Sequence, residues 1–212
     1  MTKEEYSSAF IDQHRYTNVE FGDWYQSTLE WFEDMLTDHG LNLNKFRRTT
    51  IKGKTCTESE IYFEDRYGWD CWFAGYFLSS HQALREIGAS RKDFPITYKL
   101  MERGEVIEFK TLGDDERRRS LTEVNAEEAE GELDDLPEMI VKPYKALFAK
   151  EHAKLEALLQ DWYDDVRSEF ASILEDEYDY LTSDEAVIES LEGNGIVEER
   201  EEDEDESCEF AD

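Results

Sequence analysis

The chain has 212 residues, with 54 Asp and Glu set against 23 Lys and Arg, a net charge of −31. That sign excludes a protein that holds DNA or RNA by neutralising phosphates, and anionic membrane surfaces repel it. No uninterrupted apolar run reaches the ~18 residues a bilayer span needs, and Met1-Thr2-Lys3-Glu4-Glu5 is acidic where a secretory leader would be basic and then apolar.

The remaining composition is that of a folding chain. Aromatic residues make up 13% and apolar residues 39%, which is too much for a disordered chain and enough for a sizeable core. The three cysteines, Cys56, Cys71 and Cys208, are odd in number and sparse, which points to a reducing, cytoplasmic compartment.

In chain order, residues 3–14 read as a short helix. A second helix follows, with Thr17 and Glu20 at capping-box spacing and Phe21, Trp24, Tyr25, Thr28, Phe32, Met35 and Leu36 on one face. Gly40 is placed to end it. The period then changes. Residues 49–55, 60–64 and 71–77 read as strands. Ser80 to Ile87 reads as a helix closed by Gly88. Pro95 precedes an expected strand, Ile96 to Met101, which turns at 102–104 into a hairpin partner, Glu105 to Lys110. Residues 113–136 are acidic and poor in large apolar groups, so they read as a linker or loop ending near Pro137. From about Ile140 to Leu181, Tyr144, Phe148, Leu155, Leu159, Trp162, Val166, Ile173 and Leu174 hold a helical period, with Pro143 suited only to a first turn. Thr182 and Glu185 form a second capping-box pair, and a short helix runs to Leu191 before Gly193 and Gly195.

The expected architecture is α+β: a small antiparallel sheet with packed helices, a long acidic C-terminal helix and a disordered acidic tail. The expected division is an α+β domain over 1–112, a linker over 113–136, a helical region over 137–195 and a tail over 196–212.

Two stretches carry a resemblance. Glu177-Tyr178-Asp179-Tyr180-Leu181-Thr182-Ser183-Asp184-Glu185-Ala186-Val187-Ile188-Glu189 resembles the C-terminal string of a family of uncharacterised tailed-phage and plasmid proteins, some loosely labelled antitoxin-like, which end in an acidic tail. Ile61-Tyr62-Phe63, Gly68, Phe73 and Gly75 resemble the family's aromatic strand pair, and the helix from Trp24 to Gly40 is similar in placement. The family's Ser-Gln-Gly-Asp-Gly turn is Arg66-Tyr67-Gly68-Trp69-Asp70 here, so no role of that turn's polar residues carries over. About half the chain is covered. The resemblance implies a phage or mobile-element setting and no particular mechanism.

Charge is distributed unevenly. Residues 1–40 sum to −7, 41–112 to +2, 113–138 to −8, 139–160 to +2, 161–192 to −11 and 193–212 to −9. The densest ordered candidate is the long helix, where Asp161, Asp164, Asp165, Glu169, Glu175, Asp176, Glu177 and Asp179 recur at short helical steps with only Arg167 interrupting. Steps of three or four residues separate carboxylates by ~4.5–6 Å along the axis, near the ~7 Å between successive phosphates of one strand. These eight residues are the candidate partner-binding surface, with Glu127 to Glu138 and the tail contributing. The plain alternative is the solvated face of an amphipathic helix.

Other constellations are weaker. Cys56, Cys71 and His81 lack metal-site spacing. The acidic cluster Asp203-Glu204-Asp205 lacks the pattern of a calcium loop. No Gly-rich phosphate loop, Gly-x-Ser-x-Gly or His-Glu-x-x-His is present, so neither an enzyme nor a cofactor is expected. Arg117-Arg118-Arg119 fits the chain's own acidic segments. Trp69, Trp72, Phe73, Tyr76 and Phe77 read mainly as core, with Trp69 and Trp72 as interface anchors should they be exposed. The leading expectation is a non-enzymatic, phage-type inhibitor that presents a DNA-like anionic surface to a basic host protein: a nuclease, restriction factor or other nucleic-acid-binding factor. Direct nucleic-acid and membrane contacts are excluded, and a homodimer is left open. The alternative is an antitoxin-like or adaptor protein that binds through its aromatic sheet surface, with acidity serving solubility.

Overall fold

A computed structural model describes residues 6–20, 24–49, 55–64, 70–102, 107–114, 119–125 and 138–198. Helices and antiparallel strand pairs are both present, as the α+β expectation requires. The chain divides into two units, Gln26–Glu175 on the one hand and Met1–Tyr25 with Asp176–Asp212 on the other.

In the larger unit, α2 (Gln26–Asp38) buries Thr28, Phe32 and Leu36, four residues apart, and α1 (Ser8–His14) belongs to the other unit. α2 starts later than the Thr17–Glu20 pair predicts: residues 16–20 form turns instead. Gly40 ends α2 at φ 83°, a backbone that a side chain would strain. Six strands follow: β1 (Leu41–Leu43), β2 (Lys45–Thr49), β3 (Thr55–Ser59), β4 (Ile61–Glu64), β5 (Asp70–Phe73) and β6 (Gly75–Phe77). The sequence reading placed a strand over 49–55. The two ends of that stretch are instead the facing ends of β2 and β3, with Thr49 opposite Thr55, and 50–54 lie outside the described residues.

Three segments each break at one residue, Asn44 between β1 and β2, Glu60 between β3 and β4, and Ala74 between β5 and β6. Those three close a ring of backbone hydrogen bonds: Asn44 N to Ala74 O at 2.9 Å, Glu60 N to Asn44 O at 2.9 Å and Ala74 N to Glu60 O at 3.0 Å. The ring satisfies polar groups that a broken ladder would orphan. From it three pairings diverge, β2–β3, β4–β5 and a four-stranded sheet of order β1-β6-β7-β8. Gly75 sits where β6 meets β1, and a Cβ there would lie 2.7 Å from the Asn42 carbonyl oxygen.

α3 (Ser80–Glu86) is followed by α4 (Pro95–Glu102), then β7 (Glu108–Asp114) and β8 (Arg119–Asn125). Two expectations are corrected here. Ile96 to Met101 is helix rather than strand. Pro95 takes the first helical position, where its missing N–H costs nothing. The Glu151 carboxylate then accepts from Ile96 N at 3.0 Å, Thr97 N at 2.8 Å and Thr97 Oγ1 at 2.8 Å. Within the supposed linker 113–136, residues 119–125 are a strand that pairs with β7 along its whole length, Glu108 opposite Asn125 and Asp114 opposite Arg119. Val124 is buried opposite Phe109 in that ladder, a pairing that composition alone disguises. Residues 126–137 lie outside the described residues.

α5 (Glu138–Leu181) supplies the other half of the core. It starts ahead of Pro143, so that proline falls in the second turn rather than the first. Leu155, Leu159, Tyr163, Phe170 and Leu174 are fully buried. Phe170 stacks on Phe32 at 3.9 Å between ring centroids, and Tyr163 lies 4.4 Å from Phe73. The Tyr163 hydroxyl accepts from Phe73 N at 3.1 Å and donates to Phe73 O at 3.2 Å, so it serves both backbone groups of one buried strand residue.

The division into units falls within α5, between Glu175 and Asp176. In the smaller unit, Ile11 of α1 packs on Val187 and Leu191 of α6 (Asp184–Asn194). The α6 cap is Ser183, whose hydroxyl accepts from Ala186 N. Thr182 instead donates its hydroxyl to Tyr178 O at 2.8 Å in the last turn of α5. The expected tail is ordered at its start: Tyr6 donates to Ile196 O at 2.9 Å, and Ser7 N donates to Glu198 Oε2 at 2.7 Å. Residues 199–212 lie outside the described residues.

Candidate functional site

At ~100° per residue, Asp161, Asp164, Asp165, Glu169 and Glu175 fall within an arc of about 140° on α5. The buried residues Leu159, Tyr163, Val166, Phe170 and Leu174 centre on the opposite side of the helix. Asp161, Asp165, Glu169 and Glu175 are exposed, and Asp164 is 46% exposed. The burial of one face therefore fixes the rotation of the helix and turns these five carboxylates to solvent together. They extend ~21 Å along the axis, with Asp161, Asp165 and Glu169 at steps of ~6 Å.

The stripe has definite limits. Upstream on the same side, Lys150 and Lys154 are exposed, so the sign of the face reverses before Asp161. Among the described residues the stripe meets one cation, Arg167, at 4.0 Å from Asp164, and that guanidinium lies closer, 3.4 Å, to Asp70. Gln160 donates to Asp164 at 3.1 Å. Asp161, Asp165, Glu169 and Glu175 have no ion-pair partner among the described residues.

Asp176, Glu177 and Asp179, expected to continue the stripe, belong to the smaller unit. Asp176 and Asp179 are exposed there, and Glu177 is half-buried in a cleft between helices. Of the expected flanks, Glu127 to Pro137 and the end of the tail lie outside the described residues.

One surface escaped the sequence reading. β2 and β3 form a two-stranded ribbon with Lys45, Arg47 and Arg48 exposed. Lys45 reaches Glu33 at 3.3 Å and Arg48 reaches Glu58 at 3.6 Å, while Arg47 has no ion-pair partner among the described residues. Its signal was present: no acid occurs between Asp38 and Glu58, while Lys45, Arg47, Arg48, Lys52 and Lys54 do. Summing over 41–112 averaged this run against the acids that follow it.

The aromatic sheet surface of the alternative reading is mostly interior. Trp72, Phe73 and Phe77 are buried, so Trp72 is no surface anchor, and its indole N–H finds no hydrogen-bond partner among the described residues. Trp69 lies outside the described residues. Tyr76 and Leu78 remain exposed, beside a cleft of about 420 Å³ that Ile107 and Lys110 also line.

The cysteines and histidines are dispersed. Burial pushes the Cys71 thiol pKa far up, nearby Asp70 adds to this and Arg167 opposes it, so Cys71 stays a thiol and donates to Arg167 O at 3.4 Å. The hydrogen bond to Glu58, 3.1 Å away, likewise raises the pKa of half-buried Cys56. His81 lies against Tyr98. Among the described residues no group of three or more His, Cys, Asp or Glu is placed to hold a metal ion, and no helix is long and apolar enough to cross a membrane. No protein-family model, curated protein or solved structure matches the chain.

Proposed function

We propose that the chain is a non-enzymatic inhibitor that occupies the nucleic-acid-binding cleft of a basic partner with the Asp161–Glu175 face of α5. The observation that carries the reading is the set of five carboxylates turned to solvent by the packing of the opposite face, almost unpaired and near phosphate spacing. Holding like charges at four-residue steps destabilises a helix. A surface serving only solubility gains nothing from aligning them. Long-range attraction to a basic cleft would speed association and make affinity fall with salt. The likeness of residues 177–189 to phage and plasmid proteins supports a mobile-element setting, with the partner a host nuclease, restriction factor or other nucleic-acid-binding protein.

The test replaces Asp161→Asn, Asp164→Asn, Asp165→Asn and Glu169→Gln together. Proteins captured from host lysate by the unaltered chain should release as salt is raised, bind duplex DNA in their own right, and release that DNA when the chain is added. The quadruple variant, with its thermal midpoint intact, should lose capture and competition. Undiminished capture by the variant would sink the reading.

A further inference from the structure

The smaller unit holds a second site, built from two short stripes. Glu177, Tyr180 and Leu181 lie at i, i+3 and i+4 on the last turns of α5. Ala186, Glu189 and Ser190 repeat that spacing on α6. Residues three and four apart share a helix face, so each helix turns one stripe into the space beside the Thr182–Ser183 turn. Trp24 and Asn18 complete the wall, and the cleft has a volume of about 480 Å³.

Its geometry is fixed by hydrogen bonds from the N-terminal segment. Asn18 Nδ2 donates to Leu181 O at 3.0 Å and reaches Ala186 O at 3.5 Å, tying the two helices together at the base of the stripes. Arg15 donates to Thr182 O at 2.8 Å on the same turn. The Trp24 ring lies 5.8 Å from that of Tyr178, which seats it against α5.

The lining has a specific chemistry. Glu177 and Glu189 bring two carboxylates, one from each helix, and neither has an ion-pair or hydrogen-bond partner among the described residues. Arg15, which hydrogen-bonds the turn at Thr182 O, is committed to Asp12 at 2.5 Å and Asp184 at 2.7 Å. The same cleft is lined by aromatic and aliphatic side chains: Trp24, Tyr180 at 52% exposure, and Leu181. A divalent metal would require several converging oxygens, and a small hydrated cation gains little from aromatic and aliphatic walls. A guanidinium or alkylammonium group matches both features, its charge facing the carboxylates and its flank and stem lying on Trp and Tyr.

We infer that this cleft binds an organic cation of the guanidinium or alkylammonium class. The inference does not depend on the reading of the acidic α5 face, since none of that face's five residues lines the cleft. Two sources share the chemistry, a free small cation and an Arg or Lys side chain presented by a protein.

The experiment is a ¹H–¹⁵N NMR titration of the full chain at physiological salt, which suppresses diffuse attraction to a −31 surface. The probes are agmatine, an acetylated and amidated Gly-Arg-Gly peptide, and the same peptide with citrulline in place of Arg. Agmatine or the Arg peptide should shift the Trp24 indole and the amides of Tyr180 and Glu189 to saturation, and the citrulline peptide should not. Glu177→Gln with Glu189→Gln should weaken binding at least ~10-fold, the effect of removing two charge contacts worth roughly 1.4 kcal/mol in total. Asp161→Asn with Asp165→Asn should leave it unchanged, so a failure of the α5 reading does not touch this result. Trp24→Leu should weaken binding as well. Because Trp24 also contacts Tyr178, the double Glu variant, whose side chains make no described hydrogen bond, decides the matter should Trp24→Leu unfold. Agmatine at least as tight as the peptide assigns the site to a free cation, and a tighter peptide assigns it to a side chain. Shifts that spread over the acidic surface without saturating, or that survive the double Glu variant, overturn the inference.

Discussion

Glu151 and Asp165 stand on the same helix in opposite situations. Glu151 is 8% exposed, and its two oxygens accept three hydrogen bonds from the first turn of α4. Asp165 faces solvent with no ion-pair partner among the described residues. The difference shows that abundance hides role in an acidic chain. Glu151 is structural: Phe94, just before α4, has no side-chain oxygen to cap the helix, and a carboxylate from α5 satisfies the orphaned donors and complements the helix dipole. Asp165 accepts no such bonds among the described residues and leaves its charge to solvent.

The comparison predicts stability changes of opposite sign for chemically similar substitutions. Glu151→Ala leaves one buried and one half-buried backbone donor and a buried hydroxyl without acceptors, and should cost about 3 kcal/mol of unfolding free energy, read by denaturant titration. Glu151→Gln keeps acceptor capacity and should cost less. A loss under ~1 kcal/mol for the alanine variant would mean that water replaces the carboxylate and that the distinction drawn between the two groups is false.

The legibility of the fold follows the same division between local and distant causes. α2, α3, α5 and α6 were visible because their apolar residues repeat at helical spacing and each buries that face, as Phe32 and Leu36 do in α2. α4 was not, because Ile96-Thr97-Tyr98 has the β-branched and aromatic content of a strand, and its deciding cap comes from a distant helix. β8 was missed because its acidic surroundings read as linker, while the ladder that orders it lies on β7. The single strand expected over 71–77 breaks at Ala74 because three separate segments meet there, which no window of sequence contains. The carboxylate stripe itself was legible from Asp161 to Glu175, since spacing on one helix is local. The assignment of Asp176, Glu177 and Asp179 to another unit was not, because the helix continues across the division.

A smaller and opposite effect is expected on the exposed side. Asp161→Asn, Asp165→Asn and Glu169→Gln remove like-charge pairs at i, i+4, each unfavourable by ~0.2–0.5 kcal/mol. The triple variant should be more stable than the parent by about 0.5–1 kcal/mol at low ionic strength. The gain should fade in ~1 M salt, where the Debye length is ~3 Å. Thermal unfolding at two salt concentrations measures it. A loss of stability at low salt would place these carboxylates in the structural class with Glu151, and the case for a partner surface would fail.

Glu86 lies between these extremes and gives the smallest predicted effect. Its side chain is 15% exposed, and Oε2 lies 2.7 Å from His39 Nδ1 while Arg85 reaches Oε1 at 3.0 Å. Burial disfavours its charge, but the hydrogen bonds from His39 and Arg85 outweigh burial and hold its pKa below the ordinary carboxylate value. A lowered folded pKa means that the fold favours the ionised form. The contribution is therefore complete above the unfolded value of ~4.3 and is lost as pH falls through the lowered folded value. Protonation of the repelling surface carboxylates acts in the other direction over the same range, so the parent's pH profile alone does not isolate the pair. The difference between the parent and Glu86→Gln does, because the surface charge is otherwise common to both. That difference should favour the parent near neutrality and shrink as pH drops from about 5 to about 3. A difference that stays constant with pH would show that the ionisation of Glu86 is not what ties α3 to the residue following α2.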